Sequence, residues 1–144
     1  MSESEPQHLL VYGILRREFD NDHAKLLRAH CRFLGEGAFE GRLFDVGTHP
    51  AAIAAQGSAT VRGEAYRILR PKPLFPVLDR LEGCGTDDPE PHLYRRERIS
   101  VRLDSGRGLL AWVYLYNRDT DQLRPIPHGD CARHLGFGRK SPRK

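Results

Sequence analysis

The sequence predicts an α+β fold in which a small mixed β-barrel is flanked by two main helices. Segments with helical and strand periodicity follow one another in the order β-α-β-β-β-α-β-β. The run LLAWVYLY at 109–116 is almost wholly apolar, which is typical of a central strand buried on both faces. Glycines inside strand-like segments, such as Gly41 and Gly63, indicate bulges in a strongly bent sheet.

The first strand is predicted over residues 8–13, which are too apolar for a surface position. Asn21 or Asp22 is a suitable N-cap for a helix that continues to about Leu34. Gly35 follows directly and is predicted to end this helix.

Three extended segments are predicted next. Residues 38–46 and 50–55 flank the turn GTHP, and residues 59–69 form a further strand with Glu64 and Tyr66 on one face.

The second helix is predicted over residues 72–83, with Pro76 near its start and Gly83 at its end. Asp79 is predicted to point away from the apolar stripe into solvent. The stripe consists of Leu74, Val77, Leu78 and Leu81.

A hairpin is predicted after the polar loop CGTDDPEP. Its first strand, 93–103, alternates so that Arg96, Arg98 and Arg102 face outward, and DSGRG forms the turn before 109–116.

Composition and charge restrict the class of protein. The chain has 144 residues, of which 39% are hydrophobic and 29% charged, and its net charge is +4. These values favour a single globular domain over residues 1–137. The basic residues of GRKSPRK at 138–144 predict a disordered tail, for which a solubilising role is favoured over nucleic-acid binding.

Several other classes are disfavoured. No apolar run reaches the roughly 18 residues that a membrane span requires, and no signal peptide is apparent. Three widely spaced cysteines do not indicate a disulfide framework, so we expect a cytoplasmic protein. Neither oligomeric state nor an oligomer interface is indicated, because no exposed apolar stripe stands out.

Glu82 is the first candidate for chemistry. It lies at the border of the apolar stripe and is the last residue before Gly83, so burial and the negative end of the helix dipole are expected to raise its pKa. Such a carboxyl group suits general acid–base catalysis near neutral pH. The alternative, favoured on spacing alone, is an ion pair with Arg95 or Arg96.

Gly13 and Glu64 are weaker candidates. The backbone amides around Gly13 can form an anion or oxyanion site, although a plain turn is the commoner outcome. No G-x-G-x-x-G motif or Walker lysine supports nucleotide binding. Glu64 is expected to be a buried partner of an arginine rather than a base.

No metal site is predicted. His128, Cys131 and His134 are three residues apart, but zinc needs a further ligand or water, and an ordinary turn is favoured. No serine lies in a nucleophile-elbow pattern.

Taken together, the motifs resemble the γ-glutamylcyclotransferase family, including its γ-glutamylamine cyclotransferase and AIG2-like branches. The resemblance covers roughly residues 8–130, and the order and spacing of the motifs are more specific than any one of them. The motifs are VYGILRR (11–17), GRLFDVGTHPA (41–51), VRGEAYRI (61–68), LDRLEG (78–83), YRRERISV (94–101), AWVYLY (111–116) and PIPHGD (125–130).

The resemblance implies a small mixed β-barrel and an intramolecular reaction without metal or organic cofactor. In that reaction the α-amine of a γ-glutamyl group attacks its own γ-carbonyl, which yields 5-oxoproline and a free amine. The family's catalytic glutamate corresponds to Glu82, and its substrate loop corresponds to Tyr12, Gly13, Ile14 and Leu15. Tyr114 is a candidate wall of the pocket, with a plain core tyrosine as an equal alternative.

Two departures from the family pattern leave a second interpretation open. Ile14 stands where the family commonly has Ser or Thr, and Cys131 follows HGD where a GDW-like ending is usual. The principal hypothesis is an enzyme acting on a γ-glutamyl amine or peptide. The alternative is a non-catalytic small-molecule-binding or regulatory module of the same fold.

Overall fold

The computed structural model describes residues 7–13, 22–46, 50–57, 59–85, 88 and 90–130. The elements are β1 (Gln7–Val11), α1 (Asp22–His30), β2 (Cys31–Asp45), β3 (Pro50–Ala54), β4 (Thr60–Ile68), α2 (Pro71–Leu81), β5 (Tyr94–Leu103), β6 (Gly108–Tyr116) and β7 (Arg124–Pro125). The predicted tail at 138–144 lies outside the described residues.

Five strands close into a barrel in the order β2-β4-β1-β6-β5, and β5 returns to pair with β2. β1 and β6 run parallel, with Leu9 opposite Trp112, whereas their other described partners run antiparallel. The second half of β2 pairs with β3 and β7. The predicted mixed barrel with two helices and a central β6 is confirmed.

Alternate residues of the strands face either the barrel interior or an outer face that the helices cover. The interior cluster contains no helix residue and consists of Leu10, Tyr12, Phe39, Leu43, Ala52, Val61, Val101, Ala111, Val113, Leu115 and Ile126. The outer-face cluster combines helix residues with four buried tyrosines and includes Leu27, Tyr66, Leu74, Leu78, Tyr94, Tyr114 and Tyr116. Neither described helix has the length and hydropathy needed to cross a bilayer.

The first helix is shorter than predicted, because α1 ends at His30 and β2 begins at Cys31. Phe33 lies opposite Tyr66 of β4, and their rings meet edge to face with centroids 5.5 Å apart. Cross-strand pairing therefore overrides a helical pattern that local sequence alone suggests.

The bulge of the sheet lies at Gly35 rather than at Gly41 or Gly63, where the register is regular. The register shifts between Phe33 and Gly35. Gly35 has a φ of 149°, a backbone conformation that residues with a side chain rarely adopt. Gly63 instead permits a close crossing, since a Cβ atom there would lie 2.6 Å from the carbonyl oxygen of Val11.

The buried face of α2 is rotated relative to the predicted stripe. Leu74 and Leu78 are fully buried as expected, but Leu81 is 37% exposed and Pro76 lies inside the helix. The rotation turns Asp79 toward the barrel, so its predicted solvent exposure is wrong. The reason is the polar network described below, which a helical wheel does not reveal.

Candidate active site

The end of α2 fixes the position of Glu82. The Glu82 backbone N–H donates to the carbonyl oxygen of Leu78 at 2.9 Å, and Gly83 then adopts a φ of 75°. The N–H of Cys84 turns back to the carbonyl oxygen of Asp79 at 2.8 Å. Gly83 ends the helix as predicted, because this left-handed conformation favours glycine.

The Glu82 side chain is partly buried at the helix end. Burial, and to a smaller extent the negative charge of Asp79, raises the pKa of its carboxyl group from 4.5 to about 7. Within the described part of the chain, no ion pair neutralises this carboxyl group. The ion pair with Arg95 or Arg96 that spacing favoured is therefore not formed.

Both of those arginines have other partners. Arg95 bonds to the carboxylate of Glu97 at 2.7 Å in an exposed pair. Arg96 donates two hydrogen bonds to Asp79, at 2.9 Å and 3.0 Å. Arg96 was predicted to face outward into solvent, but the outer face here lies beneath α2.

Asp79, Arg96 and Tyr114 form a polar network under α2. The Tyr114 hydroxyl donates to the Asp79 carboxylate at 2.6 Å. The Arg96 guanidinium stacks over the ring of Phe75, with its Cζ atom 3.8 Å from the centroid. The side chains of Arg96 and Asp79 are only 25% and 18% exposed, so this pair is shielded from solvent.

Tyr94 and Gly13 both lie against Pro50, and Tyr94 also interacts electrostatically with Glu82. Its buried hydroxyl donates to the carbonyl oxygen of Pro50 at 2.6 Å. A Cβ atom at Gly13 would lie 2.9 Å from Cγ of Pro50, so glycine permits this close approach. Burial raises the pKa of Tyr94, and the charge of Glu82 adds to the rise, which places Glu82 within electrostatic range of the same hydroxyl group.

Of the remaining predicted site residues, the structure describes Tyr12 and Tyr114. Tyr12 belongs to the interior cluster, and its hydroxyl donates to the carbonyl oxygen of Tyr114 at 2.6 Å, so its side chain is engaged in the barrel interior. Ile14 and Leu15 lie outside the described residues. Tyr114 is 4% exposed and engages Asp79, and its predicted role as a pocket wall stays a prediction.

Glu64 and Cys84 are two further titratable side chains among the described residues. Glu64 is 1% exposed and accepts a hydrogen bond from Tyr66 at 3.1 Å, while its backbone pairs with Val11. Burial raises the pKa of the Cys84 thiol to about 11, with Asp79 and Glu82 contributing. Cys84 is therefore a protonated thiol at neutral pH and a poor nucleophile.

No group of three metal-ligating side chains occurs among the residues that the structure describes. His128 is described, but Cys131 and His134 are not, so the spacing in HGDCARH stays untested.

Sequence reasoning missed Tyr94 and the inward position of Asp79. A signal for Asp79 is present in the sequence, since Asp79 precedes Glu82 by three residues, a spacing that puts both side chains on one helix face. Tyr94 immediately precedes the charged run at 95–98, and the run conceals its buried role.

Comparisons with known proteins point to one family. A family model described as "Gamma-glutamyl cyclotransferase, AIG2-like" matches residues 9–133. The γ-glutamylcyclotransferase family protein YtfP of Escherichia coli K12 is 32% identical over 123 residues, which cover 85% of this chain and 93% of YtfP. The protein MJ1514 of Methanocaldococcus jannaschii is 31% identical over 131 residues, covering 90% of this chain and 99% of that protein.

Solved structures agree on the fold. The solution structure of E. coli YtfP is 30% identical, with a TM-score of 0.59 over 86% of this chain and 95% of that one. A mouse AIG2-like protein is 22% identical, with a TM-score of 0.61 over 96% of this chain and 99% of its own. Because the family model spans most of the sequence and the relatives match it nearly end to end, the chain belongs to the γ-glutamyl cyclotransferase, AIG2-like family.

Proposed function

We propose that this protein cyclises a γ-glutamyl amine or peptide to 5-oxoproline and releases the amine, with Glu82 as general acid and base. The observation that supports the proposal is the Glu82 carboxyl group at the end of α2, whose pKa is raised to about 7 and which interacts electrostatically with Tyr94. Membership of the γ-glutamyl cyclotransferase family supports the reaction class.

The reaction requires proton transfer in both directions. The α-ammonium group of the substrate first gives a proton to the Glu82 carboxylate, and the amine nitrogen then forms a bond to the γ-carbonyl carbon. The bond to the leaving nitrogen breaks as the Glu82 carboxylic acid returns a proton to that nitrogen. The attacking nitrogen gives its second proton to the regenerated Glu82 carboxylate as the lactam forms, and that proton then passes to the released amine, which leaves as an ammonium ion. One carboxyl group therefore serves every proton transfer.

The pKa of Glu82 suits this dual role. An ordinary glutamate is a weak base toward an ammonium group, whereas a carboxyl group with a pKa of about 7 accepts and returns a proton near neutral pH with a smaller energetic mismatch. The protonated Cys84 thiol argues against a competing covalent mechanism at that residue.

The Gly13 segment is the proposed binding site for the acyl half. Its backbone amides are suited to hold the substrate carboxylate or the oxyanion that develops on the γ-carbonyl group. The contact of Tyr94 with Pro50 holds the neighbouring chain against the barrel. Ring closure is intramolecular, so a bent substrate conformation supplies much of the rate.

The test is an assay of 5-oxoproline with a panel of γ-glutamyl amines and peptides. We expect Glu82→Gln to lower kcat/KM by about a hundredfold or more, because the amide neither accepts nor returns the proton. Glu90→Gln is the matched control, since Glu90 is exposed in the loop after α2, and should retain the activity of the wild type.

Two results would contradict the proposal: no product from any substrate, or full activity in Glu82→Gln. Saturable binding of 5-oxoproline without turnover would instead support the non-catalytic module that Ile14 suggests.

A further inference from the structure

We propose that Asp79, Arg96 and Tyr114 form a positioning unit for Glu82, which holds the end of α2 against the barrel and fixes the Asp79 carboxylate one turn before the acid–base residue. The inference rests on the proposed role of Glu82, but its charge component can be tested without turnover.

The first observation is the number of bonds made to a single carboxylate. Asp79 accepts two hydrogen bonds from Arg96 and one from Tyr114, from two neighbouring strands, β5 and β6. Charge-assisted bonds of this kind are stronger than neutral ones and fix the orientation of both partners. Such an array fixes the orientation of the Asp79 carboxylate and ties one turn of α2 to both strands.

The second observation is the direct connection from Asp79 to Glu82. The backbone carbonyl of Asp79 accepts the N–H of Cys84 at 2.8 Å, so the loop that encloses Glu82 is closed on the residue that the strands hold. The side chains of Asp79 and Glu82 are three residues apart on the helix and are near neighbours. A displacement of Asp79 therefore moves Glu82.

The third observation is the stack above the ion pair. Arg96 packs on two rings at once, that of Phe75 on α2 and that of Trp112 on β6, with Cζ 3.8 Å and 5.0 Å from the two centroids. The guanidinium group therefore contacts the helix through both charge and ring packing, a geometry that lysine does not reproduce.

The electrostatic consequence concerns the protonation of Glu82. Three titratable groups interact with Glu82: Asp79 of α2, Cys84 in the segment after it, and Tyr94 of β5. These three in turn interact with Asp88, with Arg96 of β5, and with Tyr114 and Tyr116 of β6. Asp79 is the charge that raises the pKa of Glu82 in addition to burial. The unit thus supports the protonated form of Glu82 near neutral pH.

The experiment combines a carboxyl-carbon NMR titration of Glu82 with pH profiles of kcat/KM. In Asp79→Asn, which is nearly isosteric, we expect both the titration of Glu82 and the acidic limb of the profile to move down by about half a pH unit. In Arg96→Gln we expect kcat to fall about tenfold with little change in KM, because the helix end is displaced while the Gly13 segment remains.

Arg98→Gln is the matched control. Its guanidinium packs on the same Trp112 ring, 5.2 Å from the centroid, and makes no described contact with Asp79. Equal losses in Arg96→Gln and Arg98→Gln, full rescue by Arg96→Lys, or an unchanged Glu82 titration in Asp79→Asn would overturn the inference. If the wild type forms no 5-oxoproline, the proposed function fails, and the NMR titration still decides whether the unit acts on Glu82.

Discussion

The two sides of the barrel wall differ in chemistry. Inside the barrel, the interior cluster is aliphatic apart from Tyr12 and Phe39, and the Tyr12 hydroxyl is satisfied by a backbone carbonyl. On the outer face, beneath α1 and α2, four buried tyrosines lie beside Glu64, Asp79 and Arg96.

This difference assigns separate tasks to the two faces. A closed interior excludes water and admits few polar groups, because each one needs a partner there. The outer face meets a helix end and strand ends, where backbone and side-chain partners are available for charged groups. Stability is therefore expected to depend most on the interior, and chemistry on the outer face.

The largest expected effect on stability is in the interior. Leu115 is fully buried, so Leu115→Ala should lower the free energy of unfolding by about 3 kcal/mol. Leu110→Ala, on the same strand but at a side chain that is 55% exposed, should change it by less than about 0.5 kcal/mol. Urea unfolding monitored by circular dichroism measures both free energies of unfolding. Similar decreases in the two variants would contradict the conclusion that stability depends most on the interior.

A smaller effect, a gain in stability, is expected when the charge of Glu82 on the outer face is removed. The pKa of Glu82 is raised from 4.5 to about 7 in the folded protein, so the native state binds more protons between these values and loses stability as pH rises through them. Glu82→Gln removes this loss and should stabilise the protein by about 2 kcal/mol at pH 8, with little difference at pH 4.

Thermal unfolding at the two pH values measures this dependence. Glu90→Gln, in an exposed position, should show no comparable gain at pH 8. If Glu82→Gln is no more stable than the wild type at pH 8, burial of the ionised Glu82 carboxylate does not destabilise the folded protein.

The smallest expected effect concerns the approach of Gly13 to Pro50. In Gly13→Ala the new Cβ atom would lie 2.9 Å from Cγ of Pro50, so the segment must shift. A shift of a few tenths of an ångström should lower kcat/KM by about tenfold and leave the unfolding free energy nearly unchanged. Gly108→Ala is the control, because the nearest contact of its Cβ atom would be 3.9 Å away. Equal activity in both variants would exclude a role for the close approach.

Much of the candidate site could be predicted from the sequence, because the signals for it lie in neighbouring residues. Glu82 stands between an apolar stripe and a helix-ending glycine, and both features act within one turn of the helix. Its elevated pKa was predicted from this position. Burial is the main cause in the structure, as expected, and the charge of Asp79 adds a second cause that the sequence did not indicate.

The errors occurred where distant strands decide the outcome. Cys31–Leu34 have a helical pattern, yet Phe33 pairs with Tyr66, which is remote in sequence. Asp79 has the pattern of a solvated residue, yet Arg96 and Tyr114 approach it from β5 and β6.

The sequence by itself determined the order of elements, the barrel class and the identity of the acid–base candidate, since periodicity and helix termination are properties of neighbouring residues. Only the tertiary structure decided which face of α2 is buried, which arginine meets which carboxylate, and that the Tyr94 hydroxyl bonds to Pro50, which Gly13 approaches closely. These are contacts between residues far apart in the chain, and their energies depend on packing and shielding from water, which no local pattern encodes.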